Sequence, residues 1–291
     1  MTSLDTPQRI VFIDVDGTIL EHGSVVAPST VTAIRAARRA GHLVYLCTGR
    51  SAGDIHPSVR EIGFDGAITN GGAFAVRYGA DAAPQLIAAH LMPRAAVDRM
   101  IAYFEEHGVP YFLQTDDGVY ASELVAALAD DFFRQRRERH AGDLRALGLD
   151  DDAEPAVAFR PVGDVDLDQV VKATFISRSS DTVERAGADL GDEFHVIPGS
   201  IPMPGGSTGE IALLGVNKGA AILEVLDALG LDAADAVGIG DSWNDVEMFE
   251  VVGTSVAMGN ADPELQAKAD LVTTSVLDDG VHGALTRLGL A

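Results

Sequence analysis

Short apolar runs, each closed by a polar or glycine-rich turn, alternate with amphipathic stretches at the start of the chain. Arg9–Asp14 reads as a buried strand and Pro28–Ala40 as a helix opened by Pro28 and stopped at Gly41. Leu43–Thr48 is a second apolar strand, and Ser51–Ile62 is expected to be helical as far as Gly63. Ala67–Asn70 forms a third strand, which Gly71 and Gly72 turn into a hairpin with Ala73–Arg77. Strands alternating with helices predict a parallel sheet covered on both faces.

The rhythm changes after a linker at Ala82–Pro84. Strand patterns follow at Leu86–Leu91, Pro110–Leu113, Val119–Ala121, Ala173–Ser177, Glu193–Ile197 and Glu210–Leu214. Helical patterns lie between them at Arg94–His107, Ser122–Leu147 and Asp181–Leu190, with acidic loops at Asp150–Glu154 and Asp164–Asp168. Hairpin spacing and uneven helices predict an α+β unit with a largely antiparallel sheet. The alternation returns with a helix at Asn217–Leu229, capped by Asn217 and stopped at Gly230. Ala236–Asp241, Ser255–Met258 and Leu271–Thr273 read as strands, and Asn244–Val251, Pro263–Ala269 and Val281–Leu288 as helices. The architecture expected is an α/β core built from residues 1–83 and 214–291, with residues 84–213 inserted as a second, α+β domain.

Composition narrows the function. The chain has 291 residues, 47% of them hydrophobic and 22% charged, which suits a globular enzyme. A formal net charge of −23 disfavours nucleic acid as a partner, because the phosphate backbone would be repelled. An anionic small substrate would then need local positive charge from a metal, a lysine or a helix N-terminus. No apolar run is long enough to span a bilayer, so no membrane partner is expected. The single cysteine, Cys47, excludes an intrachain disulfide and a cysteine-rich zinc site. Met1–Arg9 is polar and lacks the basic-then-apolar pattern of a secretory signal; cytoplasmic residence is the expectation. Nothing in the sequence decides between monomer and homodimer.

The chemistry gathers where predicted core strands end. Ile10–Ile13 runs into Asp14-Val-Asp-Gly-Thr18, two aspartates one residue apart with a glycine after them. Side chains two apart on a strand point the same way, so Asp14 and Asp16 can converge. Paired carboxylates hold a hard cation, or divide nucleophilic attack and proton transfer between them. Thr48-Gly-Arg50 follows the second strand, Lys218 opens a helix, and Gly240-Asp-Ser-Trp-Asn-Asp245 follows the strand at Val237–Ile239. Ligands of open parallel sheets bind outside the carboxyl ends of the strands, so these distant pieces can share one site. Each alone has a plain reading as a turn, a cap or a solvated helix residue; together and in this order they point to one constellation.

That order resembles the haloacid dehalogenase superfamily of phosphohydrolases. Ile68-Thr-Asn-Gly-Gly72, Gly215-Val-Asn-Lys-Gly219, Ala257-Met-Gly-Asn-Ala261, Ala269-Asp-Leu-Val-Thr273 and Asp279-Gly-Val281 extend the likeness to its Cof-type, class IIB branch with a C2-type cap. The resemblance implies a Rossmann-like catalytic core and an inserted α+β cap that selects the substrate. It implies that Asp14 is the nucleophile of an aspartyl-phosphate pathway and Asp16 the general acid and base. It implies a magnesium ion held by the Asp14 carboxylate, the Asp16 backbone carbonyl and Asp241, with Asp245 in the metal site or just behind it. Lys218, Thr48, Gly49 and Asn244 are then the phosphate contacts. The expected substrate is a small phosphorylated metabolite, a sugar phosphate first and a phosphorylated cofactor second. A sugar phosphomutase is the alternative, and a non-enzymatic sensor of phosphorylated ligands a weaker one.

Other features are given plainer readings. Arg134, Arg136, Arg137, Arg139 and His140 read as a solvated helix face. Asp116-Asp-Gly118 reads as a hairpin turn, and Cys47 as a small buried hydrophobe. Trp243 reads equally well as a lining of the substrate entrance or as packing.

Overall fold

The computed structural model of the chain describes residues 7–21, 24–79, 83–125, 159–199, 203 and 205–291. Two compact units result: Met1–Gly49, Ile55–Ala89 and Asn217–Ala291 make the first, and Arg50–Asp54 and His90–Val216 the second.

The strand Ile10–Ile13 is buried on both faces, which is why it reads as unbroken apolar sequence. Val11 and Ile13 pack with Ala33, Ile34 and Ala37 of the helix Pro28–Arg39 and with Val281, Ala284 and Leu285 of the helix Gly280–Arg287. Ile10 and Phe12 face the opposite way, onto Ala221, Ile222 and Val225 of the helix Lys218–Leu229. Around this strand the first unit builds an eight-stranded sheet among the described residues. Its order is Leu271–Val272, Thr254–Ala257, Ala236–Gly240, Ile10–Ile13, Leu43–Cys47, Gly66–Thr69, Phe74–Arg77 and Gln85–Ala89. The strands are parallel as far as Gly66–Thr69 and antiparallel over the last two. Arg38 ties helix to sheet: its guanidinium donates to both oxygens of Asp65, at 3.0 and 2.8 Å, and Asp65 also accepts from the Val44 N–H at 2.9 Å.

Three details depart from the expectation. Ser51–Ile62 is not one helix but a short turn, Ala52–Asp54, and a single helical turn, Pro57–Arg60. Pro57 has no N–H to continue a helix from before it, and His56 Nδ1 caps the new start by accepting from the Ser58 N–H. The first unit runs to Ala89 rather than to residue 83, because Gln85–Ala89 pairs antiparallel with Phe74–Arg77. A two-strand flap, Leu20–Glu21 with Val25–Val26, follows the Asp14 turn, where strands so short leave no period to read.

The second unit carries a six-stranded sheet in the order Arg160–Pro161, Gly118–Ala121, Tyr111–Thr115, Lys172–Ser177, Ser207–Leu213 and Phe194–Pro198. All its pairs are antiparallel except that of Arg160–Pro161 with Gly118–Ala121. The helices Arg94–His107 and Thr182–Leu190 cover one face through Ala96, Val97, Met100, Phe104, Ala186 and Leu190. From residue 126 onward, the expected helix with its basic run and the acidic loop Asp150–Glu154 lie outside the described residues. No helix among the described residues is long and apolar enough to cross a membrane.

Candidate active site

Adjacent parallel strands lie about 4.8 Å apart, so residues just past their carboxyl ends become neighbours whatever their separation in sequence. Asp241, Asp14, Thr48 and Asn70 follow four consecutive strands of the first sheet in that order. Asp14 continues its strand far enough for its N–H to donate to the Ile239 carbonyl at 2.9 Å. Asp14 and Thr48 are buried.

Lys218 is the first residue of its helix, whose N-terminus is capped by the Asn217 side chain accepting from the Ala220 N–H at 2.8 Å. Its ammonium is buried and donates to Asp14 Oδ1 at 2.5 Å, to Asp245 Oδ1 at 2.6 Å and to Asn244 Oδ1 at 3.4 Å. Asp245 spends its other oxygen on the backbone: Oδ2 accepts from the N–H groups of Asp241 and Ser242 at 3.0 and 3.1 Å. Ser242 and Asp245 cap the turn Trp243–Asp245 reciprocally, which fixes the whole segment.

Asp241 is held from two further sides. Thr18 Oγ1 donates to its Oδ1 at 3.3 Å, and Asn260 Nδ2 reaches its Oδ2 at 3.4 Å while donating to the Gly17 carbonyl at 2.8 Å. Gly17 has φ +80°, and a Cβ there would stand 2.1 Å from Asp241 Oδ2, so only glycine lets this turn lie against the carboxylate. On the other flank, the Gly71 N–H donates to the Thr48 carbonyl at 2.9 Å. Gly72, at φ +113°, presses so closely on Asn217 that a Cβ would lie 2.2 Å from its carbonyl oxygen.

Asp14, Asp241 and Asp245 each bring one carboxylate oxygen within 4.8 Å of the others. Burial pushes the Asp14 carboxyl well above its usual range; Lys218 opposes that rise, and Asp245 and Asp241 add to it. Asp241 is pushed up to about 7, by burial first and then by Asp245, with Lys218 opposing. Burial pulls the Lys218 ammonium down, but Asp14 and Asp245 outweigh it and hold the group well above its ordinary value. Three carboxylates around one ammonium bring together an oxygen-only donor set, the kind that a hard divalent cation prefers.

The sequence-derived residues thus converge in part. Asp14, Asp241, Asp245, Asn244 and Lys218 form one bonded cluster. Thr48 and Gly49 flank it on the next strand end. Asp16 sits half-exposed on the turn that the Gly17 N–H closes onto the Leu20 carbonyl at 2.8 Å, and its carboxylate is not one of the three that cluster. Trp243 is 44% exposed, which places it at the surface. Asp116-Asp-Gly118 is the hairpin turn expected of it, with Asp117 paired to Arg160 at 2.7 Å. Burial drives the Cys47 thiol far above its usual range. Thr18, Ser242, Asn260 and Asn70 lie inside the motifs quoted above, but the sequence assigns none of them a role of its own. Asn260 lies just past the strand beside Ala236–Gly240, so its place at a carboxyl end was the available signal.

The chain belongs to the haloacid dehalogenase-like hydrolases, whose family pattern matches residues 11–285. It is 30% identical to YkrA of Bacillus subtilis (strain 168), over 97% of this chain and 98% of that one. It is 28% identical to the 5-amino-6-(5-phospho-D-ribitylamino)uracil phosphatase YwtE of the same organism, over 94% of this chain and 95% of that one. The HAD subclass IIB sugar phosphatase BT4131 shares the fold, with a TM-score of 0.74 at 22% identity over 98% of this chain and 100% of that one.

Proposed function

We propose that the protein is a cytoplasmic, magnesium-dependent phosphatase that hydrolyses a small phosphorylated metabolite through an aspartyl-phosphate. The observation that carries this reading is the buried Lys218 ammonium, bonded at once to Asp14 and Asp245 beside Asp241. A lysine so placed fixes one oxygen of Asp14 and supplies the positive charge that an anionic substrate needs in an otherwise acidic protein. The Asp14 carboxylate attacks phosphorus and the ester oxygen leaves. Asp16, partly exposed on its turn, protonates that leaving oxygen and then takes a proton from the water that cleaves the aspartyl-phosphate. Thr48 and the Gly49 N–H, with Lys218 and Asn244, bind the phosphoryl oxygens.

The carboxylates of Asp14 and Asp241 and the Asp16 carbonyl would hold the magnesium ion. When bound, it polarises the phosphoryl group and offsets charge between the two anions. Asp245 acts from behind, since Lys218 and two backbone N–H groups already occupy its oxygens. We place the chain in the Cof-type, class IIB branch with a C2-type cap, supported by the motif order and by the insertion between Thr48 and Lys218. The second unit is then the specificity element, and the substrate a sugar phosphate or a phosphorylated cofactor. YwtE, whose substrate carries its phosphate on a ribityl chain, supports that range.

The test is phosphate release from a panel of phosphomonoesters with magnesium, with and without chelator. Asp14→Asn should lower kcat by about four orders of magnitude while leaving the melting temperature within a few degrees. Near-normal release by that variant, or release indifferent to chelator, overturns the reading.

A further inference from the structure

Asn70 is the one residue at this end of the sheet whose polar side chain, among the described residues, is buried with nothing to bond. Its side chain is 1% exposed, and neither Oδ1 nor Nδ2 has a hydrogen-bond partner. Its backbone sits at φ +52°, in the left-handed region that asparagine enters more readily than most residues but glycine enters more freely still. Both are costs to the fold, and folding alone does not explain them. Glycine at this position would remove both, and glycines follow it at Gly71 and Gly72.

The neighbours of Asn70 say what lies around it. It follows the strand Gly66–Thr69, next to the strand that ends at Thr48. The Gly71 N–H holds the Thr48 carbonyl, and Gly72 presses on Asn217, the residue before Lys218. Asn70 is thus built into the loop that joins the proposed phosphoryl contacts, on the flank away from Asp241. Two strand spacings, about 10 Å, separate its backbone from that of Asp14. Side chains reaching in from both ends would leave roughly half of that distance, the span of a phosphoryl group and the first carbons of its ester.

We infer that Asn70 is a substrate-binding residue that reads a hydroxyl next to the phosphoester. This rests on the phosphatase reading above and narrows its substrate class. A carboxamide offers a donor and an acceptor side by side. A ligand that satisfies both must present an acceptor and a donor on neighbouring atoms. The ester oxygen of a phosphate monoester accepts from Nδ2, and a hydroxyl on the adjoining carbon donates to Oδ1. Polyol and sugar phosphates carry that pair, and simple alkyl and aryl phosphates do not. The amide has no partner in the free protein, so a ligand without the hydroxyl leaves Oδ1 unpaired, and the difference between two such ligands reads that one bond.

The experiment compares sn-glycerol 3-phosphate, which has the adjoining hydroxyl, with n-propyl phosphate, which lacks it. Both are measured with the magnesium-loaded full chain and its Asn70→Gly variant, which suits φ above zero. The ratio of kcat/KM for the two probes should fall about tenfold in the variant, mostly through KM. The variant without ligand should melt no lower than the wild type. Thermal protection by each probe gives a second readout: the wild type should be protected more by glycerol 3-phosphate, and Asn70→Gly should erase the difference. An unchanged ratio with unchanged protection overturns the inference, as does an equal loss on both probes with a lowered melting temperature, which marks a structural asparagine. A wild type that shows the difference in protection yet releases phosphate from no member of the phosphomonoester panel sinks the phosphatase reading and leaves Asn70 as a ligand contact.

Discussion

Lys218 is held by charge that it also neutralises. With Asp14 and Asp245 both within bonding distance of a buried ammonium, removing the ammonium strands two carboxylates away from water. Lys218→Met should therefore cost about 3–5 kcal/mol of stability, read by urea denaturation, besides a large loss of kcat. Asp14→Asn removes one of the charges instead and should leave the fold intact. Asp241 gives the opposite sign. Its folded pKa, about 7, lies above the unfolded value of 3.8, so the folded chain binds the extra proton between those limits. This carboxyl's contribution to the metal-free fold is fully present below that window and is lost as pH rises through it to about 7. Asp241→Asn should raise the metal-free melting temperature at pH 8, by up to roughly 4 kcal/mol of stability, with the advantage vanishing toward pH 4. The same variant should lose magnesium-dependent turnover. A variant that is no more stable than the wild type at pH 8 would show that the carboxylate is not strained in the metal-free site.

The elements matter through how closely they approach. Gly72→Ala places a methyl on the Asn217 carbonyl at a φ that alanine avoids, so it should cost about 3 kcal/mol or more. A shift of the urea midpoint smaller than about 1 kcal/mol would show that the loop moves aside freely. Much of this was legible in the sequence, and for a local reason. A strand buried on both faces is a continuous apolar run, and the polar residue that ends it marks the carboxyl edge; Ile10–Ile13 with Asp14 and Ala236–Gly240 with Asp241 show this. Lys218 was legible because Asn217 announces a helix start. Gln85–Ala89 does not name its partner in its own sequence, and only its pairing with Phe74–Arg77 shows which sheet it joins. The break at Pro57 was written in the sequence, but the helical period on either side hid it. The motifs holding Asn260 and Asn70 are legible, but what each side chain does is not, because it depends on bonds made, or left unmade, across other strands.

The chain as a unit carries a charge of −23, and its site must draw in an anion against that field. Raising ionic strength from about 20 to about 200 mM should screen the repulsion and increase kcat/KM for a dianionic phosphomonoester severalfold, the reverse of what a basic enzyme would show. A fall in kcat/KM over that range would mean that local positive charge governs approach from a distance. Cys47 has a different reach. It is the chain's only thiol, buried in a central strand and held protonated. A thiol reagent meets nothing to alkylate while the sheet is closed, and each molecule reacts once when it opens. The protein therefore keeps its own clock: covalent tagging at a single sulfur reports the openings that lay this central strand bare, with no probe added to the chain.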